Sequence, residues 1–230
     1  MSAVIPSNVL EFLSDLKYNN NREWFAENKP RYQEAKEEFE NFVEVLIERI
    51  SEFDPTIVHL SAKDCVFRIF RDVRFSKNKD PYKFHFGANI TAAPKKSEIH
   101  NRAGYYLHIE PEGKSMLGGG AYMPNGKWLK EIRASIDYDP EMIKGIINKQ
   151  KFKALFGQLE GEKLKTSPRD YPADHPEIEL LRYKSLYGMH HCDDRAVEAK
   201  GFLEHSADVF TAISPLNKYL NMCAEQANDM

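Results

Sequence analysis

Apolar residues in the N-terminal part of the chain recur three and four positions apart. Val9, Leu10, Leu13 and Leu16 predict a short helix with Ser7 as its cap. The run Asn19-Asn20-Asn21 interrupts it, because Asn side chains compete for backbone hydrogen bonds and favour turns and caps. Asn21 is then placed to cap a second short helix carrying Trp24 and Phe25. Pro30 suits a first helical turn, where its missing N–H costs nothing. From there Tyr32, Ala35, Phe39, Phe42, Val43, Leu46, Ile47, Ile50 and Phe53 form one apolar stripe, and Glu34, Lys36, Glu37, Glu38, Glu44 and Glu48 lie mostly off it as a solvated face. Asp54-Pro55 ends this long helix.

The pattern changes at Lys63. Segments 64–75, 83–92, 103–110 and 115–122 favour strand, and Gly-Tyr-Tyr-Leu-His-Ile-Glu (104–110) alternates with period two. Strands that follow one another without helices between them imply antiparallel pairing. From Pro124 the pattern is helical again, with Leu129, Ile132 and Ile136 on one helix and Asp139-Pro140 opening the next. Residues 160–176 read as an irregular loop, Asp174 with Pro176 as the start of a helix to about Leu186, and Leu186–His191 as a short strand. Asp193 is placed to cap a long helix, and Ser214-Pro215 to restart the last one. The expected fold class is α+β, a central antiparallel sheet over about residues 64–122 flanked by N-terminal and C-terminal helices. With no repeat, low-complexity tract or Gly/Ser linker, residues 1–230 read as a single domain.

Charge sharpens this picture at one place only. Thirty-two Lys and Arg against thirty-five Asp and Glu give a net charge of −3, so any basic function falls to a local patch. No stretch approaches the roughly 20 apolar residues of a membrane span, and Met1 to Leu10 lacks a cationic leader and an apolar signal core. The expectation is a cytoplasmic protein that does not enter membranes. Cys65, Cys192 and Cys223 lie far apart without a CxxC pair, which argues against a disulfide framework.

The local patch is residues 66–86, with six cations (Arg68, Arg71, Arg74, Lys77, Lys79, Lys83) against two anions (Asp72, Asp80). If it is a regular strand, Arg71 shares a face with Phe67, Ile69, Val73 and Phe75. A guanidinium keeps its charge, so it needs a carboxylate, carbonyls or an anionic ligand. Arg68, Arg71, Arg74, Lys79 and Lys83 are therefore the candidate anion-binding residues for a phosphate-bearing or carboxylate-bearing small molecule. His108, Tyr106 and Tyr82 are the catalytic candidates, as groups able to exchange a proton or donate to an oxyanion. Two other readings use the same patch. One is a nucleic-acid or protein interaction module with interleaved Phe and Tyr; the other is a scaffold whose cations are all paired internally.

Other motifs add less. Gly118-Gly119-Gly120 lacks the spacing of a phosphate-binding loop and signals close backbone approach by a strand or a ligand. His190-His191-Cys192-Asp193-Asp194 holds metal-ligand residue types, but neighbours on a strand face opposite ways. No residue set is assigned to a metal, and no motif names a cofactor, a reaction type or an oligomeric state.

Several separated stretches carry a resemblance, in order, from about Val9 to Leu220: Asn19-Asn20-Asn21-Arg22-Glu23-Trp24-Phe25, Phe67–Ser76, Lys79-Asp80-Pro81-Tyr82-Lys83, Gly104–Ile109, the triple glycine, and Pro168-Arg169-Asp170-Tyr171. Together they resemble a widespread family of uncharacterised proteins known as the domain of unknown function number 2461. The resemblance implies a single-domain soluble protein and brings no established activity, cofactor or catalytic residue.

Overall fold

The computed structural model describes residues 3–93 and 96–228. Its elements run α1 (Ser7–Tyr18), α2 (Arg22–Glu27), α3 (Lys29–Ser51), α4 (Ala62–Cys65), β1 (Phe86–Ile90), β2 (Gly104–Ile109) and β3 (Ser115–Ala121). They continue with α5 (Gly126–Tyr138), α6 (Pro140–Ile147), α7 (Gln150–Phe156), α8 (Ile178–Leu181), β4 (Leu186–Cys192), α9 (Asp194–Glu198) and α10 (Phe202–Asn228). The strands pair as one antiparallel sheet in the order β1-β2-β3-β4, and the fold is α+β with helices at both ends. None of the helices in the described residues is long and apolar enough to cross a membrane.

The chain divides into two compact units. The first comprises residues 1–90, 106–117 and 191–208, and the second residues 91–105, 118–190 and 209–230. In the first unit α1 buries Val9, Leu10, Phe12, Leu13 and Leu16, and α3 buries the stripe from Ala35 to Ile50. Aromatic pairs join these helices to the rest of the unit: Phe25 stacks on Tyr82 at 4.0 Å, Phe39 on Phe86 at 5.3 Å and Phe42 on Phe202 at 5.4 Å. Asn21 caps α2 through Trp24 N, and Asp193 caps α9 through Ala196 N. Ser7 does not cap α1; it is the first helical residue, with Pro6 in the capping place.

In the second unit Trp128 is buried and its indole donates to Leu220 O at 2.8 Å, while Tyr105 packs on Phe210 at 5.4 Å. The glycine run belongs to strand packing. A Cβ on Gly119 would stand 2.6 Å from Gly104 O, and Gly120 holds φ +133, a conformation that L side chains rarely adopt.

Four expected elements differ, the first being the long helix expected from Asp193, which ends after the five residues of α9 before α10 begins at Phe202. Segment 64–75 makes no strand: it ends α4, and its β pairing is limited to the isolated bridges Val66↔Ala88 and Phe70↔Tyr82. A regular strand there would press Arg71 into an apolar face, and the irregular path instead gives it hydrogen-bond acceptors. The helix expected from Asp174 to about Leu186 shortens to α8, flanked by the bridges Lys163↔Tyr183 and Glu160↔Tyr187. At the C-terminus α10 runs through Pro215 instead of restarting there. Ile213, Leu216, Tyr219 and Leu220 are all buried, and this apolar face outweighs the backbone hydrogen bond that proline forfeits.

Candidate functional site

The first unit gathers a set of ionisable side chains around the end of β2. Alternation along this strand turns Tyr105, Leu107 and Ile109 to one face, where all three are buried, and brings Tyr106, His108 and the following Glu110 to the other. Tyr106 Oη lies 2.9 Å from His108 Nδ1, and His108 Nε2 lies 3.0 Å from Glu110 Oε2. A carboxylate only accepts, so the neutral ring donates from Nε2 to Glu110, and its Nδ1 accepts from the Tyr106 hydroxyl. His85, just before β1, stacks on His108 with ring centroids 4.2 Å apart, and its Nδ1 is 3.9 Å from Glu110 Oε2.

Space and rigidity come from the neighbours. Gly87 faces the tyrosine: a Cβ there would meet Phe67 and Tyr106 Oη at 3.4 Å. Glu110 is fixed through its backbone, since Glu110 N donates to Ser115 Oγ at 3.1 Å and that hydroxyl donates back to Glu110 O at 3.0 Å. In the turn beyond, Glu112 and Gly113 both adopt left-handed φ, and the Asp194 carboxylate accepts from both of their N–H groups. The side chains of His108 and Glu110 are only 8% and 13% exposed. His85 is pushed down to about 3, by burial first and then by the charges of His108, Lys83 and Arg71. His108 is also lowered, because burial outweighs the support of Glu110. Both imidazoles are neutral near pH 7.

Lys83 and Arg71 are the cations whose charge bears on His85. Arg71 Nη1 donates to Asp80 O at 3.3 Å and Nη2 to Ser76 Oγ at 3.4 Å, long bonds to neutral acceptors. Lys83 Nζ donates to Arg68 O at 3.0 Å and lies 5.4 Å over the Phe67 ring; burial and Arg68 both lower its pKa. Among the described residues neither has a carboxylate partner, and both are half-buried.

Of the other anticipated cations, Arg74 and Lys79 lie apart from this group. Arg74 forks onto the Asp72 carboxylate at 2.6 to 3.2 Å, with its side chain 77% exposed. Lys79 is exposed and donates to Val73 O at 3.0 Å. Arg68 is exposed on the same loop. Tyr82 is buried against Phe25, and its backbone N–H and C=O are both held by the Asn20 side chain at 3.1 and 3.0 Å. Its ring belongs to the aromatic core. Tyr106 and His108 do come together, and His85 and Glu110 join them, neither having been singled out as a site residue. Period-two alternation pointed to Glu110; nothing local in the sequence pairs His85 with His108.

His85, His108 and Glu110 can also offer one ligand atom each to a metal ion, with these atoms within 4.8 Å of one another. No curated protein and no solved structure matches the chain. A family model described as a conserved hypothetical protein, DUF2461, matches residues 8–219, nearly the whole chain across both units. The chain belongs to the DUF2461 family.

Proposed function

We propose that the protein binds a small anionic molecule, a phosphate or a carboxylate, through Arg71 and Lys83 and holds it against the His85, Tyr106, His108 and Glu110 cluster. The carrying observation is the contrast in partners. Among the described residues Arg71 and Lys83 are half-buried with only neutral acceptors, whereas Arg74 has its own carboxylate. A cation removed from water without a counter-charge favours an anion that supplies one. Tyr106 and His108 are the groups proposed to orient this molecule or to exchange a proton with it. A cytoplasmic location and a single functional domain are part of the same proposal; the three buried cysteines, none of them in a disulfide, and the family match across residues 8–219 accord with them.

Thermal melting with phosphate and with small carboxylates tests this on the full chain. At 100 times its dissociation constant a native-state ligand adds about 2.7 kcal/mol, a shift of roughly 5–11 °C for a chain of this size. The shift is expected in the wild type and in Arg74→Ala, and lost in folded Arg71→Ala and Lys83→Ala. Equal shifts in all four proteins, or none with any anion, overturn the proposal.

A second reading rests on Phe75, which is 96% exposed on a loop that also exposes Arg68 and Lys77. Aromatic and cationic side chains on one exposed loop fit single-stranded nucleic acid, by stacking and phosphate attraction. Oligonucleotide binding that falls steeply with salt and is weakened in Phe75→Ala supports it; binding indifferent to both counts against it.

A further inference from the structure

We infer that His85, His108 and Glu110 form a binding site for one divalent transition-metal ion, which serves as the cofactor of the anion site. Two imidazole nitrogens and a carboxylate oxygen lie within 4.8 Å of one another, a spacing that side-chain rotation can close onto a shared ion. Two imidazoles with one carboxylate suit zinc, iron(II) or manganese(II) better than calcium or magnesium, which prefer all-oxygen shells. Three protein ligands leave the ion open to water or substrate, as catalytic metal sites require.

The surroundings support the inference separately. Metal-bound histidines are held through their second ring nitrogen, and Tyr106 Oη already sits 2.9 Å from His108 Nδ1. On metal binding the ring proton leaves Nε2 for Nδ1, the ion takes the place between Nε2 and Glu110, and the Tyr106 contact reverses direction. No net proton is lost from the ring. Glu110 is held by the Ser115 hydroxyl at its backbone, and Gly87 keeps the room that Tyr106 occupies. Arg71 and Lys83 then hold an anion beside an ion that polarises it or activates a water against it. The metal rests on the reading of this cluster as the working end of the site, but its binding is measurable without any anion.

The test is titration of full-length, chelator-treated protein with Zn²⁺ by calorimetry and with Co²⁺ by visible absorbance. One equivalent is expected to bind the wild type, with cobalt bands that report nitrogen and oxygen ligands. Glu110→Gln is nearly isosteric, and it and His85→Ala are expected to abolish the bands while the metal-free proteins still melt cooperatively. Tyr106→Phe keeps the ligands and is expected to weaken binding about 10–100-fold. No stoichiometric binding, or binding unchanged in Glu110→Gln and His85→Ala, overturns the inference. Phosphate melting on the same metal-free samples separates the two proposals. A phosphate shift lost in Arg71→Ala without metal binding removes only the metal, and metal binding without any anion shift removes only the anion site.

Discussion

Two polar stretches of the first unit answer the same electrostatic problem in opposite ways. In the loop from Arg68 to Asp80, polar partners sit close along the chain: Arg74 on Asp72, Asn78 on Asp80, Asp80 N on Asn78 Oδ1, Lys79 on Val73 O. These bonds form in water and are weakly selective. Around β2 the contacts join residues distant in sequence, His85 with His108 and Glu110, in a place with little water. There each polar group lacks a solvent alternative, so its partner matters far more. The comparison teaches that cation density along a chain marks where charge is stored, and burial marks where it acts.

The sharpest way to break the comparison is to treat Tyr82, inside the cationic segment, as a surface residue. Tyr82→Ala is expected to destabilise by about 3–5 kcal/mol in urea unfolding, because its ring is buried against Phe25. Phe75→Ala, in the same segment, is expected to stay within about 0.5 kcal/mol of wild type. Equal effects would dissolve the distinction between buried and exposed aromatics there.

A smaller effect sharpens the electrostatic side. Arg74 holds the Asp72 carboxyl down at about 2, first through its side-chain hydrogen bonds. The unfolded value is near 3.9, so the stabilisation from this pair is fully present above about pH 4 and is lost as pH falls through about 2. NMR titration of Asp72 is expected to give a midpoint near 2 in wild type and a midpoint raised toward 4 in Arg74→Ala, where only the backbone N–H bond of residue 74 remains, with little change in melting temperature at pH 7. A midpoint already near 4 in wild type would mean that the loop pair does not form in solution.

Much of the framework was readable in the residues. The stripe from Ala35 to Ile50, the Asn21 and Asp193 caps and the alternation of β2 all appear where periodicity and capping chemistry put them. Segment 64–75 misled because Val, Phe and Ile suit strands, but its arginines at 68, 71 and 74 need acceptors that a flat strand face does not offer. Pro215 misled because a local rule about helix starts lost to the buried face of α10. The site was half readable: Tyr106, His108 and Glu110 share a face by period two, a local property. His85 joins them through pairing of β1 with β2, and register between strands is written in turn geometry and packing rather than in any short motif.

The most direct test of the central claim is a phosphate titration followed by ¹H–¹⁵N NMR on the full chain. Saturable shifts are expected at the amides of His85, Gly87, Tyr106 and His108 and at the Arg71 side chain, with Arg74, Lys77, Asn78 and Lys79 unmoved. Shifts confined to residues 74–79, or spread over them without saturation, would contradict it and return the charge to the exposed loop.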